Sequence, residues 1–303
     1  MKNMTDINWH NPQDLYTVVC RPALPKDTPD VLELTRPIWE GHDYIPYVWD
    51  EWLADNHGML AVAEYGGRVV GLGKLTQLAE EQWWLEGLRV ALEHQGRRIA
   101  SHLMDYLYGY WMHCAGGAVR LATASYRESV QHLCNRFGFR KIGEFSEFSA
   151  PVISNDGQLE DFGFTPVQAA QAIPAVQYAQ ESQSLQLCSG LIDLGYKWAI
   201  PVPSHIEGAV NLGDAWWWHQ DKGLLITMDW QEENQQITPK ICLLACQMTD
   251  LTAILEDARR LSGTRGFDRI GWNAPLHPDL KPILETCGFQ REWEDALFIY
   301  EKT

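Results

Sequence analysis

"LEGLRVALEHQGRRIASHL" (residues 85–103) changes character halfway. Its first residues read as an apolar strand and its last as the start of a helix. Between them, Gln95-Gly96-Arg97-Arg98-Ile99-Ala100 makes a short, basic, glycine-bearing turn. The first amides of a helix have no intrahelical acceptor and carry the positive end of its dipole. Such a turn suits a phosphate or diphosphate. Gly96 lets backbone come close to an anion, and Arg97 and Arg98 add charge. The Lys-Ser/Thr of a nucleotide P-loop is missing, and the glycine spacing is not that of a dinucleotide turn. Taken alone, these residues leave open a plain helix N-terminus with two solvated arginines.

The turn stands out because the rest of the chain is acidic: 303 residues carry a formal net charge of −16. That field disfavours nucleic acid and anionic membrane as partners, and a local pocket becomes the place where an anion is held. A composition of 46% apolar and 21% charged residues is globular, and the length suits two domains. No apolar run reaches the roughly 18 residues of a membrane span. The N-terminus lacks an apolar signal core, and seven scattered cysteines suit reduced thiols. The expected location is the cytoplasm.

Outward from the turn, the periodicity predicts strands at 16–24, 59–75 (a hairpin around Gly66-Gly67), 81–92, 118–125 and 139–148. Helices are predicted at 27–38, within 39–58 after an aromatic-rich loop, at 99–114 and at 128–137. Residues 154–178 read as a linker without clear periodicity. Beyond it the order repeats more weakly, and Gly138-Phe139 and Gly288-Phe289 stand at the same helix-to-strand corner, 150 residues apart. This pattern favours a duplicated α/β fold.

Residues 95–100 and their flanks resemble the Gcn5-related N-acetyltransferase (GNAT) superfamily. Its acetyl-CoA signature is Gln/Arg-x-x-Gly-x-Gly/Ala, between the fourth strand and the third helix. Gln95, Ile99 and Ala100 match, while Arg98 stands where glycine is usual. "EGLRV" (86–90) and "GHDYIPYVWDEWL" (41–53) are similar to a histidine N-acetyltransferase-like branch with two tandem domains. The resemblance implies two GNAT-like domains, each a twisted, mixed, mostly antiparallel sheet flanked by helices. The first, at 14–153, would bind acetyl-CoA; after a linker at 154–179, the second, at 180–303, would be degenerate.

The implied chemistry is direct attack of an amine on the thioester, with acetyl-CoA as co-substrate and no metal. The resemblance places the cofactor on Leu88, Arg89, Val90 and residues Gln95, Gly96, Arg97, Arg98, Ile99 and Ala100. It expects the fourth strand to splay around Leu88–Val90. Strand alternation puts Glu86 on the face of Leu88 and Val90, where the family often has the carboxylate that takes the amine proton. The alternative for Glu86 is an ion pair with Arg89 or Lys74. The family's acid, a tyrosine, is replaced by Cys134; Tyr126 and Ser125 are the other donors, and water a further one. A buried structural cysteine is the plainer reading of Cys134. Asp43 and Tyr44 are expected to meet the acceptor, Asp43 by facing an ammonium; His42 reads as solvated. The second domain lacks the signature. Its Cys242 and Cys246 make a poor metal site, and Trp216-Trp217-Trp218 reads as packing.

The function expected is acetyl transfer to a small amine such as an amino acid or polyamine. Two alternatives are a non-catalytic acyl-CoA sensor or scaffold and a protein N-acetyltransferase suited to basic tails. A homodimer is compatible with either.

Overall fold

The computed structural model describes residues 7–9, 17–114, 116–154, 162–231 and 236–303. The expected domain start at residue 14, and Tyr16, lie outside them. The chain divides into two compact units, residues 1–121 with 302–303, and residues 122–301.

The first unit runs β1 (Ile7–Trp9), β2 (Val18–Pro22), α1 (Thr28–Thr35), α2 (Ile45–Ala54), β3 (Met59–Tyr65), β4 (Arg68–Ala79), β5 (Gln82–Val90), α3 (Ile99–His113) and β6 (Ala118–Ala124). Its strands pair in that order, antiparallel through β5 and parallel from β5 to β6. The β3–β4 hairpin turns on Gly66 and Gly67, both at positive φ (60° and 80°), the backbone a two-residue hairpin needs. One sheet face buries Leu60, Val62 and Leu72 against Val31 and Leu34 of α1 and Ile45, Trp49 and Trp52 of α2. The other receives α3. There Gly71 and Gly73 leave room, since a Cβ on either would stand 3.1 Å from Leu103 or Leu107. The apolar stripe that predicted α3 (Ile99, Leu103, Tyr106, Leu107) is its buried face.

The second unit contains α4 (Glu128–Arg136), β7 (Arg140–Pro151), β8 (Phe164–Pro166), α5 (Ala172–Glu181), α6 (Gln183–Leu187), β9 (Ile192–Asp193), β10 (Trp198–Ala199) and α7 (Pro203–Leu212). It continues with β11 (Ala215–Trp218), β12 (Gly223–Gln231), β13 (Ile237–Cys246), α8 (Leu251–Thr264), β14 (Arg269–Pro275), α9 (Lys281–Thr286), β15 (Gln290–Arg291) and β16 (Leu297–Lys302). Here β7 lies between β16 and β14, antiparallel to both. For that reason α4 and β7 fall in this unit, and the compact units do not coincide with the expected limits of 14–153 and 180–303.

The stretch expected as a linker holds a strand and a helix in its described part; residues 155–161 are not described. In α5, Ala172, Ala175, Val176 and Ala179 are buried. Their helical spacing is real but small-residue, which hides it from an apolar count. The repeated corner is conserved in hydrogen bonds. Gly138 (φ 77°) and Gly288 (φ 71°) each follow a helix, and the phenylalanine amides after them bond Cys134 and Leu284 carbonyls at 3.0 and 2.9 Å. This is the glycine-terminated helix end in which a left-handed residue turns the chain back on the last carbonyls.

Candidate active site

Strand β5 is where the first unit departs from a regular sheet. Its parallel ladder with β6 pairs only Gln82, Trp83 and Trp84 with Ala118, Val119 and Arg120. Beyond Trp84 the two strands part, earlier than the expected Leu88–Val90. Against β4 the register steps from Lys74↔Glu86 to Leu72↔Arg89, three residues of β5 against two of β4. The extra residue is a β-bulge, and Gly87 (φ 65°) supplies it. A Cβ at Gly87 would lie 2.6 Å from the Trp52 ring.

This bulge corrects the alternation argument. Lys74 and Leu72 share a face of β4, so their partners Glu86 and Arg89 share a face of β5. Leu88 points instead to the α3 side, where it nears Gly73. Glu86 is half-buried and accepts a 2.6 Å hydrogen bond from the Thr76 hydroxyl. The two cations weighed as its partners have carboxylates of their own. Lys74, fully buried, is bonded to Asp55. Arg89 is bonded to Asp43, Nε to Oδ2 at 2.9 Å and Nη2 to Oδ1 at 3.2 Å. Burial works to raise the Asp55 pKa, but the Lys74 ammonium and the His57 and Gly58 amides hold it below the usual carboxylate range.

Asp43 is only 1% exposed and turns to Arg89 instead of facing outward to an ammonium, the orientation expected from the sequence. Its Oδ1 also accepts from the Ile45 amide at the start of α2. The Arg89 guanidinium lies 4.8 Å from the Trp39 ring centre and 5.6 Å from that of Tyr44. The pair therefore pins the loop before α2 to the bulged strand. That loop carries Trp39 (φ 48°), Glu40 (φ 57°) and Gly41 (φ 95°), three successive left-handed residues. Two of them bear side chains, which costs about 1–2 kcal/mol each. Tyr44 packs edge-on to Trp52, and its phenolic oxygen is bonded by the Gly87 amide. Burial pushes its pKa up to about 12. His42 is exposed.

The turn before α3 is exposed from Gln95 to Arg98, while Ile99 is buried. Arg98 caps the helix at φ 62° and makes no side-chain cap, so no side chain of that residue occupies the first amides. The left-handed backbone explains why glycine is usual at this position; Arg98 adopts the same conformation at a cost. Gly96 (φ 77°) faces open space. Arg97 lies over Tyr65 and donates to its hydroxyl at 3.2 Å.

Of the remaining candidates, Tyr126 and Cys134 belong to the second unit. Cys134 is 1% exposed and burial pushes its thiol up to about 12, the surroundings of a packing residue rather than a proton donor. Tyr126 is 58% exposed and edge-on to Trp293. Ser125 is engaged with Asp295 and Ala296. Among the described residues no group of three His, Cys, Asp or Glu side chains could hold a metal, and no helix is long and apolar enough to cross a membrane. All seven cysteines are free. Sequence reasoning missed Gly87 and Thr76, and the Asp55 partner of Lys74; a glycine inside a strand is the one signal that pointed to the bulge.

The acetyltransferase (GNAT) family model matches residues 28–139. Residues 28–139 are a GNAT-family domain. They include the splayed strand, the bulge and the α3 turn. The histidine N-acetyltransferase of Oreochromis niloticus is 28% identical over 85 residues, 28% of this chain and 25% of that protein. The match thus spans about a quarter of that relative. Among solved structures, a GCN5-related N-acetyltransferase from Sphaerobacter thermophilus superposes with a TM-score of 0.60 at 12% identity, covering 94% of this chain and 95% of that one. A tandem GNAT protein from the clavulanic acid biosynthesis pathway gives 0.58 at 11% identity, covering 94% and 98%. The fold is therefore the tandem GNAT fold, and the second copy lacks the signature turn.

Proposed function

We propose that the protein is an N-acetyltransferase, moving the acetyl group of acetyl-CoA to the amine of a small molecule. The observation that carries this reading is the parting of β5 from β6 past Trp84, beside an α3 N-terminus without a side-chain cap, within a GNAT-family domain. Gly96, Arg97 and Arg98 would receive the diphosphate with the first amides of α3. The freed edge of β5 at Leu88–Val90 would bond the pantetheine arm. The residues present fit this ligand: Gly96 has open space above it, and Arg98 already holds the backbone conformation that glycine normally supplies.

Glu86 is assigned as the base. The neutral amine nitrogen forms a bond to the acetyl carbon as the carbon–sulfur bond breaks. The ammonium has first given one proton to bulk water. The proton that nitrogen loses on attack passes to Glu86, and the CoA thiolate takes a proton from water, whose hydroxide is neutralised when Glu86 releases its proton. With Cys134 sealed in the core, water is given the role of proton donor. No acyl-enzyme is required, so none of the buried cysteines has a part. The reading is tested on the full chain by following thiol release from acetyl-CoA against amines, amino acids, polyamines and peptides. Amine-dependent release is expected. Acetyl-CoA binding without turnover on any acceptor would favour a sensor instead.

A further inference from the structure

The sheet face that carries Glu86 also carries two cations, and both are already occupied. The β4–β5 register makes Lys74 the cross-strand neighbour of Glu86, and the bulge makes Arg89 the next residue on the same face. Lys74 is fully buried and bonded to Asp55. Arg89 is 11% exposed, held by both oxygens of a carboxylate that is 1% exposed, and covered by the Trp39 and Tyr44 rings.

An α-amino acid brings a carboxylate on the carbon that bears its amine. Seating that carboxylate beside Glu86 takes it out of water next to a like charge, which is costly unless a cation meets it. Among the described residues of the first unit, neither cation on this face is open to it: Arg89 would strand the 1%-exposed Asp43, and Lys74 is itself fully buried against Asp55. Stranding a buried charge is more costly still. Resting on the N-acetyltransferase reading above, we infer that the acceptor is a primary amine with no carboxylate on its amine-bearing carbon. The positive charge of such an amine complements Glu86 as it arrives. Trp39, 45% exposed and stacked on Tyr44 at 6.4 Å, offers flat apolar surface to the rest of the molecule. The Asp43–Arg89 pair is then a specificity device. It removes from the cleft the guanidinium that would otherwise recruit amino acids.

The test compares kcat/KM on the full chain for matched trios: histamine, histidine and histidinamide, then tyramine, tyrosine and tyrosinamide. The amides keep the α-amine of an amino acid but lose its charge, which separates the carboxylate from amine basicity. Amine and amide should each exceed the amino acid by at least about tenfold, the scale of one group left unpaired in a site. Asp43→Asn frees Arg89, so it should move the ratio toward the amino acid by about tenfold. The double variant Asp43→Asn/Arg89→Gln should move it back. An amino acid used as well as its amide by the wild-type protein overturns the inference while the transferase reading stands. That comparison needs no variant to fold. An unmoved ratio in folded Asp43→Asn overturns the role given to Arg89. Thiol release with none of the six compounds, nor with polyamines or peptides, would remove the transferase reading itself.

Discussion

The molecule contains the same strand parting twice, once left open and once filled. In the first unit β5 leaves β6 after three parallel pairs. In the second, β13 leaves β14 after two, Lys240↔Gly271 and Ile241↔Trp272. Past the first parting, Glu86 and Leu88–Val90 are only half-buried. Past the second, Leu243–Cys246 are all buried, and a short helix accounts for it. Ser184 of α6 donates to the Leu244 carbonyl and accepts from the Cys246 amide, both at 2.8 Å, while the Gln183 side chain accepts from the Met248 amide at 3.0 Å. The backbone groups that a ligand would use in the first copy are satisfied by the protein's own chain in the second. The helix that follows differs to match. α3 begins after Arg97 and Arg98, whereas α8 begins after Asp250, which repels a phosphate. The two copies thus differ by two local changes, with the sheet intact.

The contrast can be broken most severely at Glu86. Glu86→Gln keeps the shape and removes the base, so kcat should fall by roughly 10²–10⁴ with the acetyl-CoA KM nearly unchanged. Steady-state kinetics with both substrates varied read this split, and wild-type turnover across the pH range would reject the assignment. The bulge comes next. Gly87→Ala adds a Cβ at positive φ and against the Trp52 ring, which should cost about 2–4 kcal/mol in urea denaturation.

The two units should also respond oppositely to acid. Asp193, beside the filled parting, is raised from 3.8 to about 6, first by burial and against the Asn273 and Tyr196 hydrogen bonds. A native state that binds a proton more tightly than the unfolded chain loses stability as pH rises through that window. Asp193→Asn should therefore gain up to about 3 kcal/mol relative to wild type between pH 4 and pH 7. Asp55 in the first unit is lowered. Its contribution is present above its unfolded value and is lost as pH falls below about 4. Denaturation curves at both pH values check the sign. The smallest effect is expected of Arg98→Gly, which relieves the left-handed strain but adds freedom to the unfolded chain. A net change below about 1 kcal/mol, with acetyl-CoA affinity held within a fewfold, sharpens the view that Arg98 serves chiefly through its backbone.

Most elements of the first unit were legible, and some of the second. The stripe Ile99, Leu103, Tyr106 and Leu107 announces α3, Gly66-Gly67 the hairpin, and Gly138 and Gly288 the repeated corner. These signals are local, and each depends on residues within a turn or two. What the sequence hid is non-local or parity-dependent. Alternation along β5 assigned Glu86 to the face of Leu88 and Val90, and one bulged residue reversed it. Asp43 looked like an open carboxylate because its partner, Arg89, is 46 residues away. The partners of β7 lie more than a hundred residues downstream, so the edge of the first compact unit could not be read from its own segment. In α5 the buried face is mostly alanine, too small to register as a stripe.

The central claim is that one parting is open to the CoA ester and the other is closed. Calorimetric titration of the full chain with acetyl-CoA tests it most directly, on wild type and on one charge variant in each turn. Arg98→Glu reverses charge at the α3 turn in a position that already carries a side chain. Thr249→Glu places the same charge at the exposed turn before α8. One site per chain is expected, weakened at least about tenfold by Arg98→Glu, the scale of a charge reversal at a helix N-terminus. Thr249→Glu should leave it unchanged. Two sites per chain, or a loss of affinity on Thr249→Glu with Arg98→Glu silent, would contradict the account.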